Sequence, residues 1–170
     1  MAEKRDVPLL ILDLDGTVRH GKDESGRFVN GPRDVVIFPA AVERMATWQD
    51  AGGRIVGITN QGGIALGHVT VRDVEDAILE TNRQTEMRFA TIRYCPHFPS
   101  VRQCWCRKPR PGLVLEAIAN LESRWPGDQY PPEMAMVVGD RQEDIGLAVA
   151  LDVRFMDAAD WRGDGEAKAM

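Results

Sequence analysis

The chain has 170 residues, with 26 acidic and 21 basic side chains and a formal net charge of −5. That length suits one domain over 1–170 with a sizeable core, and the negative balance gives no general attraction to nucleic acid or an anionic membrane. No apolar run is long enough to span a bilayer and no signal-peptide cleavage pattern opens the chain, so a cytoplasmic protein is the expectation; the oligomeric state stays open, with a monomer favoured.

Val7-Pro8-Leu9-Leu10-Ile11-Leu12 is a continuous apolar run and predicts a strand buried on both faces of a parallel sheet. The polar, Gly-rich stretch from Gly16 to Arg33 reads as a loop or small hairpin flap. Val42, Met45, Ala46 and Gln49 keep helical spacing over Pro39–Ala51, and Gly52-Gly53 end that helix. Arg54 to Ile58 is a second strand, leading into Thr59-Asn60-Gln61. Thr70 caps a helix reaching about Glu86, with Val71, Val74 and Ile78 on one face. Phe89 to Tyr94 is a third strand, followed by a Cys- and Pro-rich loop to Arg110. Val114, Ala117, Ile118 and Leu121 mark a helix, Met134 to Val138 a strand ending at Gly139-Asp140, Ile145, Ala148 and Val149 another helix, and Val153 to Met156 a last strand. The tail from Gly163 is expected to fray. His20 and His68 read as loop or surface residues, and the Trp residues at 48, 105, 125 and 161 show no base-stacking series.

Strands alternating with helices predict an α/β, doubly wound parallel sheet covered on both faces, with no large cap domain. Ligands of such sheets bind beyond the carboxyl ends of the strands. Asp13, Thr59 and Asp140 each fall at such an end, so one crevice can collect all three.

Asp13-Leu14-Asp15-Gly16-Thr17 places two acids two residues apart where Gly16 lets the chain bend. One carboxylate can attack phosphorus and the other can act as general acid and then base; an ordinary Asp-Gly turn is the plainer reading. Thr59 and the following backbone N–H groups can cradle phosphate oxygens. Lys108 can neutralise a phosphate and crowded carboxylates, and Arg107 can grip an oxygen by its fork; both also fit a solvated basic loop. Asp140 and Asp144, one helical turn apart, can hold a hard cation through oxygen ligands, or can favour the positive end of a helix dipole. All three cysteines lie in one segment beside His97: Cys95-Pro96-His97, then Cys104-Trp105-Cys106. They form a Cys₃His set over about 95–107 that suits a structural zinc ion.

The ordered set Asp-x-Asp-Gly-Thr, Thr-Asn-Gln, Arg-Lys-Pro and Gly-Asp-x-x-x-Asp resembles the haloacid dehalogenase phosphatases over Val7 to Met156. Cys-x-His followed by Cys-x-Cys-Arg-Lys-Pro is similar to the branch holding heptose bisphosphate phosphatases and histidinol-phosphate phosphatases. The resemblance implies that Asp13 is the nucleophile and Asp15 the acid and base. It implies that Thr59, Asn60, Arg107 and Lys108 bind phosphate or substrate. Magnesium would lie on Asp13, the Asp15 carbonyl and Asp140, with Asp144 behind them. The substrate it implies is a small phosphorylated metabolite, D-glycero-D-manno-heptose 1,7-bisphosphate first and histidinol phosphate second. Ser25 to Phe28 and Gly31 to Asp34 are similar to a segment of polynucleotide 3′-phosphatases, and Arg102, Arg107, Lys108 and Arg110 could follow a phosphate backbone. The charge of −5 and the missing aromatic series disfavour nucleic acid. A phosphate-binding module without catalysis would have no use for Asp13, Asp15, Lys108 and Asp140 together.

Overall fold

Alternate residues of the short, wholly buried apolar runs face opposite sides of the sheet, and this sets the architecture. The computed structural model describes residues 4–26, 28–100 and 104–164. In chain order the elements are β1 (Arg5–Asp6), β2 (Leu9–Leu12), β3 (Arg19–His20), a 3-10 turn at Pro32–Asp34, β4 (Val36–Ile37), α1 (Pro39–Asp50), β5 (Arg54–Asn60), α2 (Val71–Gln84) and β6 (Thr91–Cys95). There follow α3 (Gly112–Arg124), β7 (Asp128–Gln129), a 3-10 turn at Pro132–Met134, β8 (Ala135–Gly139), α4 (Gln142–Leu151), β9 (Arg154–Asp157) and α5 (Ala158–Arg162).

Five strands form a parallel sheet in the order β6-β5-β2-β8-β9. Leu9, Ile11, Val56, Ile58, Ala135 and Val137 face one core, shared with Val114 and Leu121 of α3 and Leu147 of α4. Leu10, Leu12, Ile55, Met136 and Val138 face the other, shared with Met45 of α1 and Trp161 of α5. Each fully buried Leu or Ile stabilises the fold by roughly 1.5–3 kcal/mol. This is the doubly wound arrangement that the sequence predicts.

From β2 the chain moves outward to β5 and β6, then crosses back to β8 on the other side of β2. The reversal leaves a crevice at the carboxyl ends of β2 and β8. Asp13 N donates to Val138 O at 3.0 Å, which holds the residue after β2 beside the end of β8.

The segment after Asp13 is a hairpin flap, as expected: β3 and β4 pair antiparallel. Asp34 ties it together by accepting from Lys22 N at 2.7 Å and Asn30 N at 3.0 Å. Val29 and Val35 pack against Ala77 of α2. Among the described residues, no large cap is inserted between Asp13 and Thr59.

Several expectations change. Thr70 caps α2 through its side chain, but Val71 is exposed and the inner face is Val74, Ala77 and Thr81. In α4, Ile145 and Val149 point outward, while Asp144, Leu147 and Ala148 face the core. The reason is Asp144, which turns inward to bind Lys108. Strand β5 continues through Asn60, because Thr59 and Asn60 still pair with Tyr94 and Cys95 of β6. His20 belongs to β3 and not to a loop. Residues 165–170, most of the tail expected to fray, lie outside the described residues, as does Arg102.

Candidate active site

The tight loop after β2 builds the floor of the site. Leu14 O accepts from the backbone N–H of Thr17, Val18 and Arg19 at 3.1, 2.9 and 3.0 Å, so the chain doubles back over Asp13 and Asp15. Gly16 sits at φ 88°, in the left-handed region. A Cβ there would collide with the Asp140 carboxylate, so glycine is what lets Asp140 close on the loop. Gly139 does the same for Asp144, whose carboxylate fills the space a side chain at 139 would need.

Lys108 reaches the floor from the loop before α3 and is 4% exposed. Its ammonium donates to Asp13 Oδ1 at 2.5 Å and to Asp144 Oδ1 at 2.7 Å. Asp13 Oδ2 accepts from Thr17 Oγ1 at 3.3 Å. Burial pushes the Asp13 carboxyl up to about 7; Lys108 pulls it down and Asp144 pushes it further up. Burial works to lower Lys108, but Asp13 and Asp144 outweigh it and hold the ammonium above the ordinary lysine range. Asp140 is raised by burial, partly offset by Arg141.

Asp15 lies beside this group. Its Oδ1 accepts from Arg19 Nε at 2.8 Å and its Oδ2 from Gln61 Nε2 at 2.8 Å. Gln61 Nε2 also donates to Thr59 Oγ1 at 2.8 Å, joining the two expected functional residues. Asn60 lines the same cavity as these residues, and its amide also pairs with the Lys108 backbone: Asn60 Nδ2 donates to Lys108 O at 3.2 Å and Lys108 N donates to Asn60 Oδ1 at 3.0 Å. A cavity of about 530 Å³ opens above Asp13, Asp15, Thr59, Lys108 and Asp144. Phe28 and Val29 of the flap also line it, together with Leu66, Pro99, Arg107 and Arg141.

Asp13, Asp140 and Asp144 offer carboxylate oxygens within 4.8 Å of one another. Three carboxylates against the Lys108 ammonium and the Arg141 guanidinium, 3.9 Å from Asp140, leave surplus negative charge, and an all-oxygen donor set suits a hard divalent cation such as magnesium. A second cluster stands at the end of β6. The Cys95, Cys104 and Cys106 thiols and His97 Nδ1 lie within 4.8 Å of one another. Neighbouring donors are 3.2–3.5 Å apart. These separations are too long for a disulfide. They approach the roughly 3.3–3.8 Å edges of a tetrahedron with zinc–ligand distances of 2.0–2.3 Å. The cysteines are free thiols, so the set fits zinc. Arg107 joins the two sites: its N donates to Cys104 Sγ at 3.3 Å and its Nη1 to His97 O at 3.2 Å, while its side chain lines the cavity.

Residues 8–158 match the family model for polynucleotide kinase 3 phosphatase. The chain belongs to that family. It is a phosphatase of the haloacid dehalogenase type. Among similar proteins is a D-glycero-D-manno-heptose-1,7-bisphosphate 7-phosphatase from Chlorobaculum tepidum, 36% identical over 81% of this chain and 71% of the relative. A D-glycero-beta-D-manno-heptose-1,7-bisphosphate 7-phosphatase from Escherichia coli is 32% identical over 88% of this chain and 77% of the relative. The fold is shared with the crystal structure of D,D-heptose 1,7-bisphosphate phosphatase from B. bronchiseptica, complexed with magnesium and phosphate, at a TM-score of 0.72 and 22% identity over 96% of this chain and 100% of that one.

In this phosphatase Asp13, Asp15, Thr59, Asn60, Arg107, Lys108 and Asp144 line one cavity, and Asp140 lies beside Asp13 and Asp144. Sequence reasoning missed Thr17, Arg19 and the bridging role of Gln61. Thr17 and Gln61 stand inside the quoted motifs and were within reach. Arg19 pairs with Asp15 four residues away, but its burial depends on partners on α2 that are distant in sequence.

Proposed function

We propose that the chain, acting as one domain, is a magnesium-dependent phosphomonoester hydrolase working through an aspartyl phosphate on Asp13. The observation that carries this is the Lys108 ammonium held between Asp13 and Asp144, with Asp15 lining the same cavity and a carboxylate oxygen of Asp140 within 4.8 Å of those of Asp13 and Asp144. Asp13 attacks phosphorus in line with the leaving group. Asp15 gives a proton to the leaving alkoxide, then takes one from the water that hydrolyses the aspartyl phosphate. Lys108 offsets the charge of nucleophile and phosphate, and Thr59 receives a phosphate oxygen. A magnesium ion on Asp13, the Asp15 carbonyl and Asp140, with Asp144 behind them, would supply further charge neutralisation. Zinc on Cys95, His97, Cys104 and Cys106 would close its coordination sphere with protein ligands and hold the loop that presents Arg107 and Lys108. Free thiols suit a reducing compartment, and a cytoplasmic location is part of the proposal.

The substrate proposed is a small sugar phosphate, D-glycero-D-manno-heptose 1,7-bisphosphate first, which the names of the relatives support. Histidinol phosphate stands second. A 3′-phosphorylated polynucleotide is the third reading, favoured by the family model and by the Ser25–Asp34 segment. The test compares kcat/KM for the sugar bisphosphate, histidinol phosphate and a short 3′-phosphate oligonucleotide at two salt concentrations. The sugar bisphosphate is expected to lead at both. An oligonucleotide that leads, with efficiency falling steeply as salt rises, would replace this reading.

A further inference from the structure

Arg19 is 1% exposed. A guanidinium keeps its charge at any ordinary pH, so burying one requires a counter-charge and full hydrogen bonding. The counter-charge is Asp15: Arg19 Nε donates to Asp15 Oδ1 at 2.8 Å. Arg19 Nη1 donates to Thr81 Oγ1 at 2.8 Å and Ala77 O at 3.2 Å, both on α2. Thr81 is itself fully buried and donates to Ala77 O at 2.7 Å. The fork is therefore clamped to a helix at one end and to a carboxylate at the other. The carboxylate is further confined by the bridge between residues 15 and 19 and by Gln61 on Oδ2.

Nothing in the phosphoryl-transfer scheme uses Arg19, and the residue does not line the cavity. Its effect falls on how the Asp15 carboxyl is oriented: Oδ1 is tied through Arg19 to α2, which leaves Oδ2, on the side of Gln61 and Thr59, as the oxygen presented to the cavity. We propose that Arg19 is a positioning residue for proton transfer: by holding Oδ1 against α2 it fixes the plane of the Asp15 carboxyl and the direction in which Oδ2 meets the leaving group.

The proposal rests on the reading of Asp15 as acid and base. In the first step a bond forms between Asp13 and phosphorus while the bond from phosphorus to the leaving oxygen breaks. The electron pair goes to that oxygen, which takes the proton from Asp15 Oδ2. Asp15 is left as a carboxylate balanced by Arg19. In the second step water bonds to phosphorus and its proton goes to Oδ2. The bond between phosphorus and Asp13 breaks with its electron pair returning to Asp13. Arg19 keeps its charge throughout.

The test uses leaving-group dependence, because a p-nitrophenolate leaves with little help from an acid whereas an alkoxide needs the proton. With magnesium present, kcat/KM, which reports the steps through aspartyl-phosphate formation, is measured for p-nitrophenyl phosphate and for a simple alkyl phosphate. The proteins are the parent, Arg19→Met, Arg19→Lys and Asp15→Asn. In Arg19→Met the alkyl ester is expected to lose about 100-fold or more, the scale of general acid catalysis, and the aryl ester no more than about 5-fold on the same scale. Arg19→Lys, which keeps the charge and loses the fork, should fall between parent and Arg19→Met. Asp15→Asn should show the same split. If Arg19→Met does not fold, Arg19→Lys decides alone, and a ratio of the two substrates equal to the parent's would overturn the proposal. Equal losses on both substrates in the Arg19 variants, beside a split in Asp15→Asn, would leave Arg19 with a structural role only. No split in Asp15→Asn would overturn the acid reading and this proposal with it.

Discussion

Lys108 Nζ donates to Asp13 Oδ1 across 2.5 Å, and neither side chain is more than 9% exposed. The same ammonium serves Asp144, so a single cation balances two buried carboxylates. Lys108→Met should therefore lose stability as well as turnover. Leaving buried charges unpaired costs about 3–5 kcal/mol, and losing charge neutralisation at phosphorus costs at least about 100-fold in kcat. Adding Asp144→Asn to Lys108→Met should recover part of the melting temperature and none of the turnover. Thermal denaturation and steady-state hydrolysis of p-nitrophenyl phosphate check both halves.

Gly16 is held at φ 88° with the Asp140 carboxylate where a Cβ would be. Gly16→Ala should shift Asp140 and strain the loop, a loss of more than about 1 kcal/mol in stability. The magnesium concentration giving half-maximal activity should rise roughly tenfold or more, as loss of one cation-orienting contact implies. Gly52→Ala, also at positive φ but with open space around it, should leave the magnesium response unchanged. A magnesium titration of the three proteins separates a site effect from a backbone effect.

Zinc should co-purify at about one per chain. Cys104→Ala should lower the melting temperature by several degrees, because metal binding and loop folding are coupled. It should change the magnesium requirement much less. Metal analysis of protein purified under reducing conditions checks the first point, and an analysis that finds no zinc refutes the structural site.

Asp15→Asn should fold as the parent does and lose about 100-fold or more in kcat, since both proton transfers pass through this carboxyl. A circular dichroism melt beside a kcat measurement checks it, and unchanged kcat would remove Asp15 from the chemistry.

The sheet was legible because Leu9 to Leu12 and Met136 to Val138 are apolar at every position, as a strand buried on both faces must be. The two candidate ligand clusters and most of the candidate site residues were legible because they fall at strand ends and in one cysteine-rich loop. The inner face of α4 was not. Helical periodicity counts apolar residues, and Asp144 takes a core-facing place because of Lys108, 36 residues away in sequence. Arg19 was hidden for the same reason, since its partner Thr81 lies 62 residues away. Trp161 and the short α5 carried too little pattern to be noticed, although Trp161 fills the core beside α1.

The nucleophile is tested most directly by catching it. The parent and Asp13→Asn are mixed with p-nitrophenyl phosphate and magnesium, quenched in acid within the first turnovers, and digested for mass spectrometry. The parent should carry phosphate on the peptide containing Asp13, and Asp13→Asn should carry none and turn over about 1,000-fold more slowly, as expected when a covalent nucleophile is lost. Full turnover by Asp13→Asn, with that peptide unmodified in the parent, would contradict the aspartyl-phosphate mechanism.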